Sequence, residues 1–448
     1  MTFNKLRLAS SCLVALVISL LIFASACGGG SSSSSNATTS VNSSSPLSTT
    51  CSNSTGNCAT VTTDNGLGNG YANGAFTTVK VCVPGNSSSC AIISGVLVDT
   101  GSVGLRLMKS LVPKTLPQSI ALGGGALVEC YPFVASYMWG PVATADIQIA
   151  GKTAVGTHIM LIDNSTPTAF AVPGDCSGHN GSSSSQSVNT VGQLGANGIL
   201  GIGSTQQDCG PFCAQSPSLQ SNSSGFVGLY YGCASSNCAP TAEPLLTQVP
   251  NPVSQFETDN NGTAISLPAV SSNGATTVTG ALYFGIGTRS NNPMPTAVTV
   301  LELDALNEQF ITTVYKSTTN THSYIDSGSN GLFFVDSTIP ACTNTPTDPF
   351  LSDWFCPTAT ASHSATNSGA TGSSGSSTVS FSLANAITLF SNNTGLDNAF
   401  DDLGGPGATN TFDWGLPFFY GRVVYNAIEQ KAVTNTSGTS FTGPFVAY

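Results

Sequence analysis

The chain has 448 residues, long enough for two compact domains with sizeable cores. Only 7% of residues are Asp, Glu, Lys or Arg, and 11 Lys plus Arg leave a net charge of -11, so no nucleic-acid partner is expected. Abundant Gly, Ser, Thr and Asn between short apolar runs predict an all-β protein with long polar loops, since helices are normally richer in Ala, Glu, Lys and Leu.

Residues 1–27 read as an export signal: Lys5 and Arg7, an apolar run from Leu8 to Phe23, then the small residues of "ASAC" ending at Cys27. The run is too short for a permanent membrane helix. It resembles a bacterial lipoprotein signal, which makes Cys27 the candidate lipidation site. Ala24 stands where that signal prefers Leu, so plain secretory cleavage stays open. The lipoprotein reading implies a protein of the bacterial cell envelope, lipid-anchored to a membrane and facing the periplasm or the exterior. Residues 28–69 are expected as a flexible tether, because Gly28 to Thr50 has almost no apolar side chain to offset its ordering entropy.

Beyond Cys27 there are twelve cysteines, an even number that suits an oxidising compartment. Sequence alone does not fix connectivity. Pairing by proximity gives Cys51–Cys58, Cys82–Cys90, Cys209–Cys213, Cys233–Cys238 and Cys342–Cys356, leaving Cys130 with Cys176. His158, His179, His322 and His363 are scattered, so neither a metal nor another cofactor is expected.

Residues 70–290 and 291–448 read as two β lobes. Thr77–Val83 and Ala91–Val98 form strand-like runs joined by the turn "PGNSSS", and the second delivers Asp99 at its end. "ATADIQIAGKTAVGTHIMLID" alternates like a strand pair. The polar stretches Ser177–Gln193 and Ser362–Ser380 are expected as surface insertions or disorder, with a short helix near Leu383–Phe390. Phe418, Phe419 and Tyr420 are expected in the core or between lobes. Trp139 reads either as a hairpin-tip residue or as the cover of an apolar patch.

Two acidic turns repeat across these lobes: "VLVDTGSVGL" (Val96–Leu105) and "SYIDSGSNGL" (Ser323–Leu332). A later Gly follows each, Gly201 in "GILGIG" and Gly415 in "DWGLPFF", which suggests related halves. If the turns meet, Asp99 and Asp326 share one proton, because two adjacent carboxylates do not both ionise cheaply. A water held between them loses a proton to the ionised partner as it attacks a carbonyl carbon, while the protonated partner donates to the carbonyl oxygen. Gly101 and Gly328 let backbone approach each carboxylate, Ser102 and Ser329 are donors for the outer oxygens, and Thr100 and Ser327 are placed to bond across the lobe junction.

These motifs, with "NGILGIG" (Asn197–Gly203), "GALYFGIG" (Gly280–Gly287) and "GLPFFYGRVVYNAIEQ" near the end, resemble the pepsin-like two-lobed aspartic endopeptidases. The resemblance covers about residues 70–435 and implies an all-β, two-lobed pepsin-like fold with an active-site cleft between pseudo-twofold related lobes. It implies Asp99 and Asp326 as the catalytic pair, a peptide or protein substrate, and a monomer. A flap hairpin is expected within "ECYPFVASYMWG", with Tyr137 as the first candidate for its tyrosine and Tyr131 as the second. Arg106 stands where the family usually carries Trp, and "GLP" replaces its Leu-Gly-Asp. The alternative to an endopeptidase is an inactive envelope or surface lipoprotein of the same fold that binds peptide or glycan in the cleft.

Overall fold

The computed structural model describes residues 47–448, apart from 53–55, 134–135, 179–185, 221–227, 236, 305–309, 347 and 371–374. The expected export signal, with Cys27, and most of the expected tether lie outside the described residues.

The stretch expected as tether contains the first strand, β1 (Cys58–Thr63), paired residue for residue with Val278–Tyr283. Ordered structure therefore begins ahead of residue 70. Val61 is fully buried and Ala59 nearly so, which gives this short alternating segment the apolar face that the preceding Ser-rich stretch lacks. Leu47 is anchored further upstream, where its carbonyl accepts from Ser266.

The first lobe is built on β2 (Ala75–Val83) and β3 (Asn86–Asp99), an antiparallel pair turned at Gly85, with Cys82 opposite Cys90 and bonded to it. The chain leaves Asp99, turns, and returns as β4 (Val103–Met108). Strand Gly198–Ile202 lies between the two, parallel to β3 and antiparallel to β4. All five of its residues are buried, and it reads "GILGI" because it is covered on both faces and flanked on both edges. A Cβ at Gly201 would lie 2.8 Å from the Gly104 carbonyl oxygen, so that approach requires glycine.

The second lobe repeats the arrangement. Tyr324–Ile325 runs parallel to Asp413–Trp414, and Leu332–Phe334 runs antiparallel to Phe412–Trp414. Gly415 follows as the counterpart of Gly201, with its added Cβ only 2.6 Å from the Ser329 carbonyl oxygen. Two halves built alike around a central strand give the all-β, two-lobed pepsin-like fold. Between them, β1 and strands Gly262–Ser266, Val278–Phe284, Val423–Ala427 and Phe445–Ala447 form a continuous sheet. The main apolar core runs through both lobes and includes Phe418, Phe419 and Tyr420. Each such side chain contributes about 1.5–3 kcal/mol on burial.

Three further first-lobe strands, β5 (Ala126–Pro132), β6 (Ser136–Ile149) and β7 (Lys152–Ile162), make consecutive hairpins. Trp139 of β6 is fully buried and donates to the Phe170 carbonyl, so it covers the interior rather than a tip. The six disulfides among the described residues join the cysteines paired above by proximity.

Most of Ser362–Ser380, expected as an insertion or disorder, is instead paired: Ala361–Ser368 lies antiparallel to Ser376–Leu383. One face carries the buried Ala365 and Val379, which suffices to seat a Ser- and Thr-rich hairpin on the lobe. A short helix, Ala386–Ser391, follows, capped by the Asn385 side chain.

Candidate active site

Both acidic turns reach one point. Asp99 ends β3 and is 2% exposed; Asp326 follows the strand Thr318–Ile325 and is 0% exposed. The Gly101 amide donates to Asp99 Oδ1 at 2.8 Å and to Asp326 Oδ1 at 3.1 Å, so a single N–H touches both carboxyl groups. On the other side the Gly328 amide donates to Asp326 Oδ1 at 2.7 Å. A Cβ at Gly101 would sit 2.6 Å from Asp326 Cγ, and one at Gly328 would sit 2.5 Å from Asp99 Oδ1. Only glycine allows each turn to lie against the opposite carboxyl group.

The remaining oxygens are held by hydroxyls: Ser102 Oγ donates to Asp99 Oδ2 at 2.5 Å and Ser329 Oγ to Asp326 Oδ2 at 2.8 Å. Behind the acids the turns interlock. The Thr100 amide donates to Ser327 Oγ at 3.1 Å and the Ser327 amide to Thr100 Oγ1 at 2.9 Å. Their hydroxyls then donate to the Ile325 and Val98 carbonyls of the opposite lobes.

Burial pushes Asp326 well above the usual carboxylate range, reinforced by the charges of Asp99 and Asp413 and by its hydrogen bond with Asp99, against a smaller opposing effect from Ser329. Asp326 therefore keeps a proton where an ordinary carboxyl group has lost it. The arrangement has the parts for moving one proton between a trapped water and a carbonyl oxygen.

Arg106 is fully buried behind the first turn. Its Nη2 lies 2.6 Å from Glu129 and 3.0 Å from Asp208, Nη1 donates to the Val103 carbonyl, and Cζ stacks 3.5 Å over the Tyr131 ring. Burial opposes its charge, but Glu129, Tyr131 and Asp208 outweigh it and hold the guanidinium protonated. Burial together with Glu129 raises Asp208 well above its ordinary value. Of the two flap candidates, Tyr131 on β5 faces Arg106, whereas Tyr137 on β6 packs with Cys130, Trp139 and Cys176.

Three residues near the dyad were not singled out in the sequence. Asp413 lies on the strand beside Asp326 and adds to its raised affinity for a proton. Asn73 joins the lobes: its Nδ2 donates to the Asn330 and Phe400 carbonyls, and its Oδ1 accepts from the Phe400 amide and from Tyr420. Tyr71, two residues earlier, is buried, and after burial itself the Asp99 and Asp326 charges raise its phenol above its ordinary range. The Asn73–Gly74 pair gives a turn signal, but nothing local ties it to Asn330.

A model of one protein family matches residues 49–448, nearly all of the described chain. The chain belongs to that family, whose description is "Protein of unknown function (DUF3443)". No curated protein matches the chain. Among solved structures it is similar to the aspartic proteinase from Irpex lacteus, at 15% identity over 87% of this chain and 96% of that one, with a TM-score of 0.40. So distant a likeness stands beside the site geometry and adds nothing to it.

Proposed function

We propose that the chain is an aspartic endopeptidase. The observation that carries this reading is the meeting of two buried, symmetrically held aspartates, one of which retains its proton. Asp99 accepts a proton from a water lying between the two carboxyl groups as that water attacks the peptide carbonyl carbon. Asp326 gives its proton to the carbonyl oxygen, so the tetrahedral intermediate forms without a separated charge. Asp99 then passes the proton it took to the departing amine while Asp326 takes back a proton from the hydroxyl formed on the carbonyl carbon, so the C–N bond breaks, the carboxylic acid forms and the pair returns to its starting protonation. Thr100, Gly101, Ser102, Ser327, Gly328 and Ser329 fix the two carboxyl groups in place, and Tyr131, braced by Arg106, serves as the flap tyrosine.

The export signal and the disulfides support a protein that works outside the cytoplasm. In this reading Cys27 carries the lipid, and a monomeric peptidase hangs from an envelope membrane. The experiment is incubation of the purified chain with an unfolded protein between pH 3 and pH 7, with fragments detected by mass spectrometry. Fragments are expected; a correctly folded chain that yields none across this range overturns the peptidase reading.

A further inference from the structure

The two acidic turns hold their carboxyl groups alike, each by a glycine amide and a serine hydroxyl of its own. These donors do not mark Asp326 as the group that keeps a proton. Its Oδ1 accepts from the amides of both Gly101 and Gly328, and donors to a carboxylate favour its ionised form. The difference between the acids therefore comes from outside the turns.

The strand beside each acid supplies it. In the first lobe β3 runs parallel to Gly198–Ile202, with Leu97 opposite Ile199 and Val98 opposite Leu200. In the second, Tyr324 is opposite Asp413 and Ile325 opposite Trp414. Side chains alternate along a strand, so Val98, Leu200, Ile325 and Trp414 enter the main core and the intervening residues turn to the face that carries the acids. The rings of Phe412 and Trp414 stack on the core side, 4.2 Å between centroids, which leaves Asp413 between them turned the opposite way. Ile199 and Asp413 thus hold equivalent places, the first apolar, the second a carboxyl group that is 1% exposed. The Asp326 amide donates to the carbonyl of Trp414, the residue after Asp413. Diagonal neighbours on one face of a sheet lie about 7–8 Å apart, close enough for one buried carboxylate to disfavour ionisation of another.

The strand on the far side of each place adds no net charge to the comparison. Ile199 has Arg106 opposite it, already matched by Glu129 and Asp208, and Asp413 has Phe333. Around Asp326 the titratable groups among the described residues are Asp99 across the junction, Asp413 on the adjoining strand and the Tyr71 phenol, which stays neutral. Burial and then the charges of Asp99 and Asp413 raise Asp326. We propose that Asp413 is a positioning residue that makes Asp326 the acid and Asp99 the base of the pair, by setting a buried negative charge beside Asp326 where the first lobe has Ile199. This rests on the peptidase reading and adds to it the residue that orders the pair.

The test is the pH dependence of kcat/KM for the wild-type protein and for Asp413→Asn, which keeps the shape of the side chain and removes its charge. Without that charge Asp326 gives up its proton more readily, so the alkaline limb is expected to move about one pH unit lower. A purely structural role lowers the whole profile and leaves the limb in place; that result overturns the proposal, as does a limb that moves higher. Carboxyl-carbon NMR of the wild-type protein, its aspartates isotope-labelled, keeps the test independent of how the variant folds. Asp413 is expected to lose its proton at lower pH than Asp326. An Asp413 that stays protonated while Asp326 ionises overturns the proposal whatever the variant does. If the wild-type chain cleaves nothing, the peptidase reading falls on that result alone, while the NMR titration, which needs no cleavage, still decides whether Asp413 orders the pair.

Discussion

Thr100 and Ser327 exchange hydrogen bonds across the lobe junction, each amide donating to the other's hydroxyl at 3.1 and 2.9 Å. The reciprocity makes the two acidic turns one unit, because neither hydroxyl can be removed without stranding an amide on the opposite turn. Thr100→Val and Ser327→Ala are each expected to cost about 1–3 kcal/mol of stability in urea unfolding. The double variant should depart from additivity by about 0.5–3 kcal/mol. Additive losses would show that the turns are held independently.

Arg106 offers a second test of stability. Glu129 and Asp208 both meet the guanidinium with fully buried side chains, so Arg106→Met strips this acidic pair of the cation it contacts, and a loss of about 3–5 kcal/mol is expected. Adding Glu129→Gln and Asp208→Asn should recover much of it, since the penalty comes from stranded charge. Urea midpoints of the single and triple variants measure this.

The pH dependence follows from raised acids. Asp402 is lifted from an ordinary 3.8 to about 7 by burial and by Asp401. The folded state therefore binds more protons than the unfolded chain between those values, and stability declines as pH rises through that window. Asp402→Asn should flatten the decline between pH 4 and pH 7. Asp326 shifts in the same direction, so the alkaline limb of kcat/KM, where Asp326 loses its proton, should lie well above 3.8. Urea unfolding across pH and a pH–rate profile check the two statements separately.

Disulfide effects should scale with the loop closed. Cys130–Cys176 spans 46 residues and joins β5 to the segment around Gly174–Ser177, whereas Cys209–Cys213 spans 4. Chain entropy gives about 4 kcal/mol for the first and about 2 kcal/mol for the second. Paired Cys→Ala variants compared by thermal unfolding should show that order.

How far the sequence foretold the structure depended on the range of the signal. The twin turns were legible because the same residues recur in the same order, and the disulfides because five of the six bridges close short loops. Tyr131 and Tyr137 were harder to separate. They sit on opposite strands of one hairpin, paired as Pro132 with Tyr137 and Tyr131 with Met138, so the turn between them decides which ring faces Arg106. The hairpin Ala361–Leu383 was hidden by its Ser- and Thr-rich composition, since only a few buried side chains seat it. Asn73 contacts Asn330 and Phe400 across 257 and 327 residues, a pairing that no local pattern encodes.

The most direct measurement is the cleavage rate of one unfolded protein by the wild-type chain, Asp99→Asn and Asp326→Asn, with folding of each checked by circular dichroism. A water activated between the two aspartates predicts that either change lowers kcat by about a thousandfold or more while the fold persists. Cleavage that survives both substitutions at the wild-type rate would contradict that account.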